Sequence, residues 1–264
     1  MNSEINQFIE FMKAHVVRKS VNELHTPPDR THTLMNGLHD KIYPYRGSFN
    51  FQGRDYNKFL VLYNTVIDKM PLSIVERHIN TGEKIGPLIF DVDYYTSQKN
   101  RQYDTTLIKN MVNVCNKCFM EYLDIHRNEV IAYIKEKEEP TFCANRNVYK
   151  DGFHIFYDIP LSYDQRKFLF DKITSEIEKQ NIFEPIDTET PVKDMIDKHV
   201  LMDNCVLMYG SAKEGRKPYR LTKIFNCSGE ELSIDGYSKE MLVNLFSLRK
   251  YNDDDAIKYK ISPQ

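Results

Sequence analysis

With 264 residues, the chain can bury a large core, either as one elaborate domain or as two lobes. Hydrophobic residues at 41% and charged residues at 28% exclude a disordered or fibrous chain, and no apolar run approaches the roughly 20 residues of a membrane-spanning helix. A formal net charge of −2 excludes a globally basic nucleic-acid binder, so any such contact requires a local patch. The opening Met1-Asn2-Ser3-Glu4-Ile5 lacks the basic-then-apolar order of a signal peptide. Five cysteines, an odd number in a chain of this size, fit a reducing compartment better than a disulfide framework. The expectation is an intracellular protein of cytoplasm or nucleus.

In chain order, residues 2–16 read as an amphipathic helix through Ile5, Phe8, Ile9 and Met12, and a polar loop containing Pro27-Pro28 follows. Asp55 is expected to N-cap a helix over 56–70, with Phe59, Leu60, Tyr63 and Val66 inward, until Pro71 stops it. Residues 72–75 and 88–92 read as strands, then 104–126 as a helix. Strands are expected at 130–134, 141–148 and 153–159. Ser162 with Gln165 makes a capping box for a helix reaching about residue 179, and 181–191 reads as loop. Strands at 205–209 and 219–225 and a helix over 238–248 complete the pattern. Residues 251–264, with Asp253-Asp254-Asp255, read as a polar tail or linker. Strands and helices mixed without strict alternation indicate an α+β fold.

Cys115 and Cys118 form a C-x-x-C, but both lie on the apolar stripe of the 104–126 helix with Leu107, Met111, Val114, Phe119 and Tyr122. There they read as small hydrophobes rather than zinc ligands, since no second C-x-x-C exists.

The chemistry concentrates in three segments. Asp91 and Asp93 follow the apolar run Pro87-Leu88-Ile89-Phe90, and residues two apart on a strand share a face. Two carboxylates so close favour a cation between them, and hard oxygen donors suit Mg²⁺ or Mn²⁺. A polar strand end with two solvated aspartates has the same local pattern. The second segment is 150–157, where His154 alternates away from Phe153 and Ile155 and Lys150 lies four residues earlier. A His and a Lys beside metal-bound carboxylates suit a triphosphate tail, although a lone strand histidine is commonly structural. The third begins at Ile196-Asp197, with Asp203 as a rival acid, and leads to Tyr209-Gly210-Ser211-Ala212-Lys213. Lys213, Arg216, Lys217, Arg220 and Lys223 then place five basic residues in eleven positions, with Tyr209 and Tyr219 nearby. Such a cluster fits phosphate contacts with aromatic platforms, or simply a solvated turn. Gly210 and Gly215 have P-loop spacing, but Arg216 and Lys217 occupy the Lys and Ser/Thr places, so no ATPase is read here.

Taken together and in this order, these segments resemble the archaeo-eukaryotic primase superfamily. The likeness is greatest to primase-polymerases and to primase domains fused to helicases in large DNA viruses, and covers roughly 55–225. The family's acidic pair corresponds to Asp91 and Asp93, its Lys-x-Ser-x-His to Lys150 and His154 with Gly152 in the serine place, and its hydrophobic-Asp to Ile196-Asp197. Tyr209-Gly210-Ser211-x-Lys213 is similar to its nucleotide-contacting segment and favours Asp197 over Asp203. Val206, Leu207 and Met208 stand where primase-polymerases often carry an arginine.

The resemblance implies an RNA-recognition-motif-like catalytic sheet with an N-terminal α/β lobe, within a catalytic domain of residues 1–250 (lobes about 1–85 and 86–250). It implies a DNA primase or primase-polymerase using two metal ions, Mg²⁺ or Mn²⁺, on Asp91, Asp93 and Asp197. His154 would serve catalysis, and Lys150, His154, Ser211 and Lys213 would hold the nucleotide. Arg216, Lys217, Tyr219, Arg220 and Lys223 would contact nucleic acid. The implied partners are a single-stranded DNA template, nucleoside triphosphates and a helicase domain or subunit, inside a host cell if the source is viral. A metal-dependent nucleotide-sugar glycosyltransferase shares the Asp-x-Asp but not the later segments. A non-catalytic nucleic-acid module of a helicase is the other alternative. A phosphatase of the Asp-x-Asp-x-Thr kind would need Thr where Tyr95 stands.

Overall fold

A computed structural model describes residues 3–17, 30–35, 47–79, 82–201 and 205–260. The expected loop around Pro27-Pro28 and the rival acid Asp203 lie outside the described residues. The chain divides into two compact units. The first comprises residues 1–79, 205–218 and 237–250, and the second 80–204, 219–236 and 251–264. A boundary near residue 85 therefore captures only the first crossing of the chain. Two later segments return to the first unit because β-pairing and helix packing claim them there.

In the first unit, α1 (Ser3–Ala14) and α2 (Arg54–Val66) pack together through Phe8 and Phe59, whose centroids lie 6.4 Å apart. Phe51 stacks on Phe59 at 4.3 Å. Gly53, at φ 53°, takes the N-cap place expected of Asp55. Asp55 sits in the first turn with its carboxylate 3.4 Å from His15 Nε2. Two strands not expected from the sequence, β1 (His32–Leu34) and β2 (Gly47–Phe49), join β3 (Ile74–Glu76) in an antiparallel sheet.

The second unit is built on β4 (Gly86–Thr96), α3 (Thr105–Tyr122), β5 (Ala132–Glu136), β6 (Thr141–Cys143), β7 (Val148–Leu161) and α4 (Tyr163–Lys179). Asp104 caps α3 by accepting the Leu107 N–H, and the expected Ser162/Gln165 capping box opens α4. The first unit's sheet is completed by β8 (Val206–Leu207), in the order β2-β1-β3-β8. With β9 (Arg220–Phe225) and β10 (Glu231–Leu232), the second sheet runs β10-β9-β5-β7-β4, and β6 pairs with the start of β7. The last helix, α5 (Lys239–Leu245), belongs to the first unit and is capped by Ser238.

One face of the second sheet is apolar. Phe90, Val92, Tyr94, Ile134, Phe153, Ile155 and Tyr157 pack there with Ile108, Met111, Phe119, Phe170 and Ile173 of the helices. Cys115 and Cys118 are buried free thiols in this core. Because strand side chains alternate, Asp91, Asp93, Lys150 and His154 must project from the opposite face. The result is a mixed α+β protein with antiparallel sheets.

Residues 251–260, expected as a polar tail, are fastened to the second unit. Ile257 N–H donates to Pro160 O at 2.9 Å, and Lys260 N–H to Tyr122 O at 2.8 Å. Leu123 and Tyr259 form a β-bridge between these contacts.

Candidate active site

The strand carrying Asp91 and Asp93 does not end there. β4 continues to Thr96 because Val92, Tyr94 and Thr96 keep alternating into the core, leaving Asp91, Asp93 and Tyr95 on the other face. Both carboxylates are thus held in mid-strand, with side chains 23% and 27% exposed, instead of at a solvated end.

Register then assembles the neighbours. His154 of β7 lies opposite Asp91, and Gly152 opposite Asp93. His154 Nε2 is 3.1 Å from Asp91 Oδ1, and Lys150 Nζ donates to Asp93 Oδ2 at 2.5 Å. On the other edge of β4, residues 195–197 add a short antiparallel bridge. Asp93 N–H donates to Met195 O at 2.9 Å, Asp197 N–H donates to Asp91 O at 3.0 Å, and Val92 pairs with Ile196. Asp197 is therefore the backbone neighbour of Asp91 across the free edge of β4. Its Oδ1 accepts the His199 N–H at 2.9 Å.

Gly152 occupies a place where no side chain fits. A Cβ there would lie 1.9 Å from the Val92 carbonyl oxygen and 3.0 Å from the Asp93 Cα. The close approach of two backbones accounts for glycine where the family pattern has serine.

Lysines not singled out from the sequence complete the polar face. Lys135 of β5 lies opposite His154, so Lys135, His154, Asp91 and Asp197 form one row across four chain segments. Lys135 is buried, and burial, partly opposed by Asp91, pushes its pKa down to about 8. Lys137 lies 5.2 Å from the Tyr219 ring centroid, its pKa lowered by burial against the pull of Asp93. Burial also works against the Lys150 charge, but the Asp93 carboxylate beside it holds its pKa above the ordinary value. Tyr219 stacks on His154 at 4.0 Å and 20°, fixing the imidazole plane. The Tyr219 phenol is pushed well up by burial and then by Asp93 and Asp91. Arg101 ties the sheet end together, donating to Asp151 at 3.0 Å, to Glu136 at 3.1 Å and to the Lys137 carbonyl at 2.7 Å. The signal for Lys135 and Lys137 was alternation: Ile134-Lys135-Glu136-Lys137 continues a period-two pattern that looks like a charge run.

The remaining candidates divide between the units. Ser211, Lys213, Arg216 and Lys217 belong to the first, and Tyr219, Arg220 and Lys223 to the second. Ser211 is buried, where its hydroxyl accepts the Ile74 N–H at 3.1 Å and lies 3.0 Å from the Tyr63 hydroxyl. It fixes the chain just before the exposed turn of Lys213 and Arg216. Lys223 is bound to Glu136 at 2.6 Å, whereas Arg220 is exposed.

Among the described residues, no three His, Cys, Asp or Glu side chains are grouped as they stand to hold a metal ion. Asp91 and Asp93 instead face His154 and Lys150. The donor chemistry nevertheless fits a hard divalent cation: the Asp91 and Asp93 carboxylates share one sheet face, turned toward positive or protonatable groups, with Asp197 bonded to the Asp91 backbone beside them.

The sequence has a family counterpart. The family described as "C962R protein N-terminal AEP domain" matches residues 38–225. The chain belongs to this family. It is thus an AEP domain, of the archaeo-eukaryotic primase superfamily, with the mixed fold that the resemblance implied. A protein of Acanthamoeba polyphaga mimivirus named "Putative helicase L207/L206" is 28% identical over 207 residues, which are 76% of this chain and 20% of that protein. The AEP domain thus spans about one fifth of the length of this curated relative. No described helix is long and apolar enough to cross a membrane.

Proposed function

We propose that this AEP domain catalyses template-directed nucleotidyl transfer from nucleoside triphosphates, as a primase or primase-polymerase of viral DNA replication inside a host cell. The observation that carries this reading is the cross-strand row His154–Asp91–Asp197 with Asp93–Lys150 beside it. Asp91 and Asp93 meet His154 and Lys150 on one face with Asp197 bonded to the Asp91 backbone, an arrangement a solvated strand end does not need. Asp91, Asp93 and Asp197 would hold Mg²⁺ or Mn²⁺, which when bound supplies charge neutralisation and lowers the pKa of an attacking hydroxyl. Lys150 and His154 exchange their carboxylate partners for phosphate oxygens, supplying charge-assisted hydrogen bonds that strengthen as negative charge develops. In the first unit, Ser211 positions the turn of Lys213, a cation that would bind phosphate. Arg216, Lys217 and Arg220 would contact the single-stranded DNA template by its phosphates, while Tyr219 would serve chiefly to hold His154. The helicase name of the viral relative supports a helicase domain or subunit as partner.

The test is incubation with single-stranded template, labelled nucleotides and Mg²⁺ or Mn²⁺, with and without primer. Product is expected from the native chain and none from Asp91→Ala or Asp93→Ala, both of which should remain folded by circular dichroism. Template binding without any product from the native chain would instead favour the non-catalytic nucleic-acid module.

A further inference from the structure

We infer that the β6–β7 hairpin is a platform for single-stranded nucleic acid, feeding the carboxylate face from the Tyr95 end of β4. The inference deepens the reading above and rests on it for the role of the bound strand. Phe142, at the middle of β6, is 49% exposed and lies opposite Tyr149 in the register, with ring centroids 5.2 Å apart. Alternation puts the other side of the hairpin on the same face as Asp91 and Asp93. There Lys150 lies opposite Tyr95, two residues beyond Asp93. The Arg146 guanidinium sits over the Tyr95 ring at 4.6 Å, and Lys150 Nζ is 5.8 Å from the same ring. The hairpin thus presents the Phe142–Tyr149 ring pair on one face and, beside Tyr95 of β4, Lys150 on the other, with an exposed arginine at its turn.

A buried core needs none of this. Phe142 contributes little to packing while half exposed, and Arg146 has no described carboxylate partner. From Thr141 to Tyr149 the hairpin carries Arg146 and no acidic residue, and Lys150 at its base is paired with Asp93. An exposed ring that can stack a base, an exposed arginine at the turn that can meet a phosphate, and an opposite face that runs into the Asp93 side of β4 match a single strand passing over the hairpin rather than a duplex or an acidic protein. The ring faces are sequence-tolerant, as a template platform requires.

The experiment uses the full chain without metal or nucleotide, so that binding is read apart from catalysis. Fluorescence anisotropy with matched deoxy- and ribo-oligonucleotides across a salt series compares the native chain with Phe142→Ala, Arg146→Ala and the double variant. The double variant should bind about tenfold or more weakly, the range expected when one stacked base and one phosphate contact are lost. Arg146→Ala should flatten the salt dependence by about 0.7 in log–log slope, and Phe142→Ala should leave the slope unchanged. Photo-crosslinking from a halogenated pyrimidine oligonucleotide should map to the peptide containing Phe142 or Tyr149. Native-like binding by the double variant, or no binding by the native chain at low salt, overturns the inference. Loss of nucleotidyl transfer with intact hairpin-dependent binding would overturn the catalytic reading alone.

Discussion

Gly152 shows how closely the polar face is built. With the Val92 carbonyl 1.9 Å from where a Cβ would stand, even alanine forces β4 and β7 apart at the pair bearing Asp93. Gly152→Ser, which would restore the family's serine, is therefore expected to lose activity and about 1–3 kcal/mol of stability, the usual cost of overpacking. Urea unfolding followed by circular dichroism checks this, and a serine variant as stable and active as the native chain would contradict it. A second residue-level expectation concerns Tyr219, which touches His154 as a positioning residue. Tyr219→Leu should reduce nucleotide affinity several-fold and Tyr219→Phe should leave it unchanged, measured by calorimetry, because ring stacking and not the phenol holds the imidazole. Equal losses in both would point to the hydroxyl instead. At this scale spacing alone let the sequence bring Asp91, Asp93, Lys150 and His154 together, whereas Lys135 and Lys137 were concealed in a run that looks solvated. Which lysines of such a run are buried depends on strand pairing that one sequence does not display.

Elements tell a similar story with a different cause. Helix starts with side-chain caps were legible to the residue, as Asp104 and Ser162 show, because the capping geometry is local, whereas the helix expected to reach residue 126 ends at Tyr122. β4 and β5 were located but cut short at Val92 and Ile134, yet pairing with β7 carries β4 to Thr96, and β7 and β9 together carry β5 to Glu136. The strand expected over 141–148 is instead β6, a turn and the start of β7. Very short β1 and β2 were missed, since three residues stabilised only by neighbours leave no periodic trace. β3 illustrates how pairing can force a charge inside. Glu76 is buried, and its carboxylate accepts from the Tyr56 hydroxyl at 2.5 Å and the Leu248 N–H at 2.7 Å, with His32 Nε2 at 3.5 Å. Burial alone would raise the Glu76 pKa, but these donors outweigh it and hold it below the ordinary 4.5. Burial lowers that of His32 below 6.5 despite Glu76. Both folded-state values are depressed, so on acidification the unfolded chain takes up protons first and stability falls with pH. The thermal midpoint should be level above the unfolded His value, decline below about 6.5 and decline further as pH drops below about 4.5. In Glu76→Gln the neutral-pH midpoint should be lower and the final decline shallower. A native chain equally stable at both ends of that range would refute the assignment.

For the molecule as a whole, composition limited the answer to a globular α+β chain but could not show that the first unit reclaims residues 205–218 and 237–250. Long-range β-pairing such as Val75 with Leu207 decides that, and no local pattern encodes it. The C-terminal residues make the same point in a testable form. Low hydrophobicity and three consecutive aspartates argue for a tail, yet residues 251–260 clasp the second unit at several backbone positions. Besides the Ile257 and Lys260 donors, Asp124 N–H donates to Lys258 O at 2.9 Å, and Gln165 Nε2 donates to Ile257 O at 2.5 Å. The last contact ties the clasp to the α4 capping box, because Gln165 also accepts the Ser162 N–H at 2.8 Å. Removing residues 251–264 would leave these groups without partners and uncover the buried Tyr251 site beside Asp158. At about 0.5–1.5 kcal/mol per hydrogen bond, four losses amount to about 2–6 kcal/mol if additive. The truncated chain should therefore unfold at clearly lower urea, followed by circular dichroism since the sequence holds no tryptophan. Amide exchange should quicken at Asp124, whose N–H loses its acceptor. A truncated chain with the native urea midpoint and native exchange at that amide would return these residues to the status of a linker.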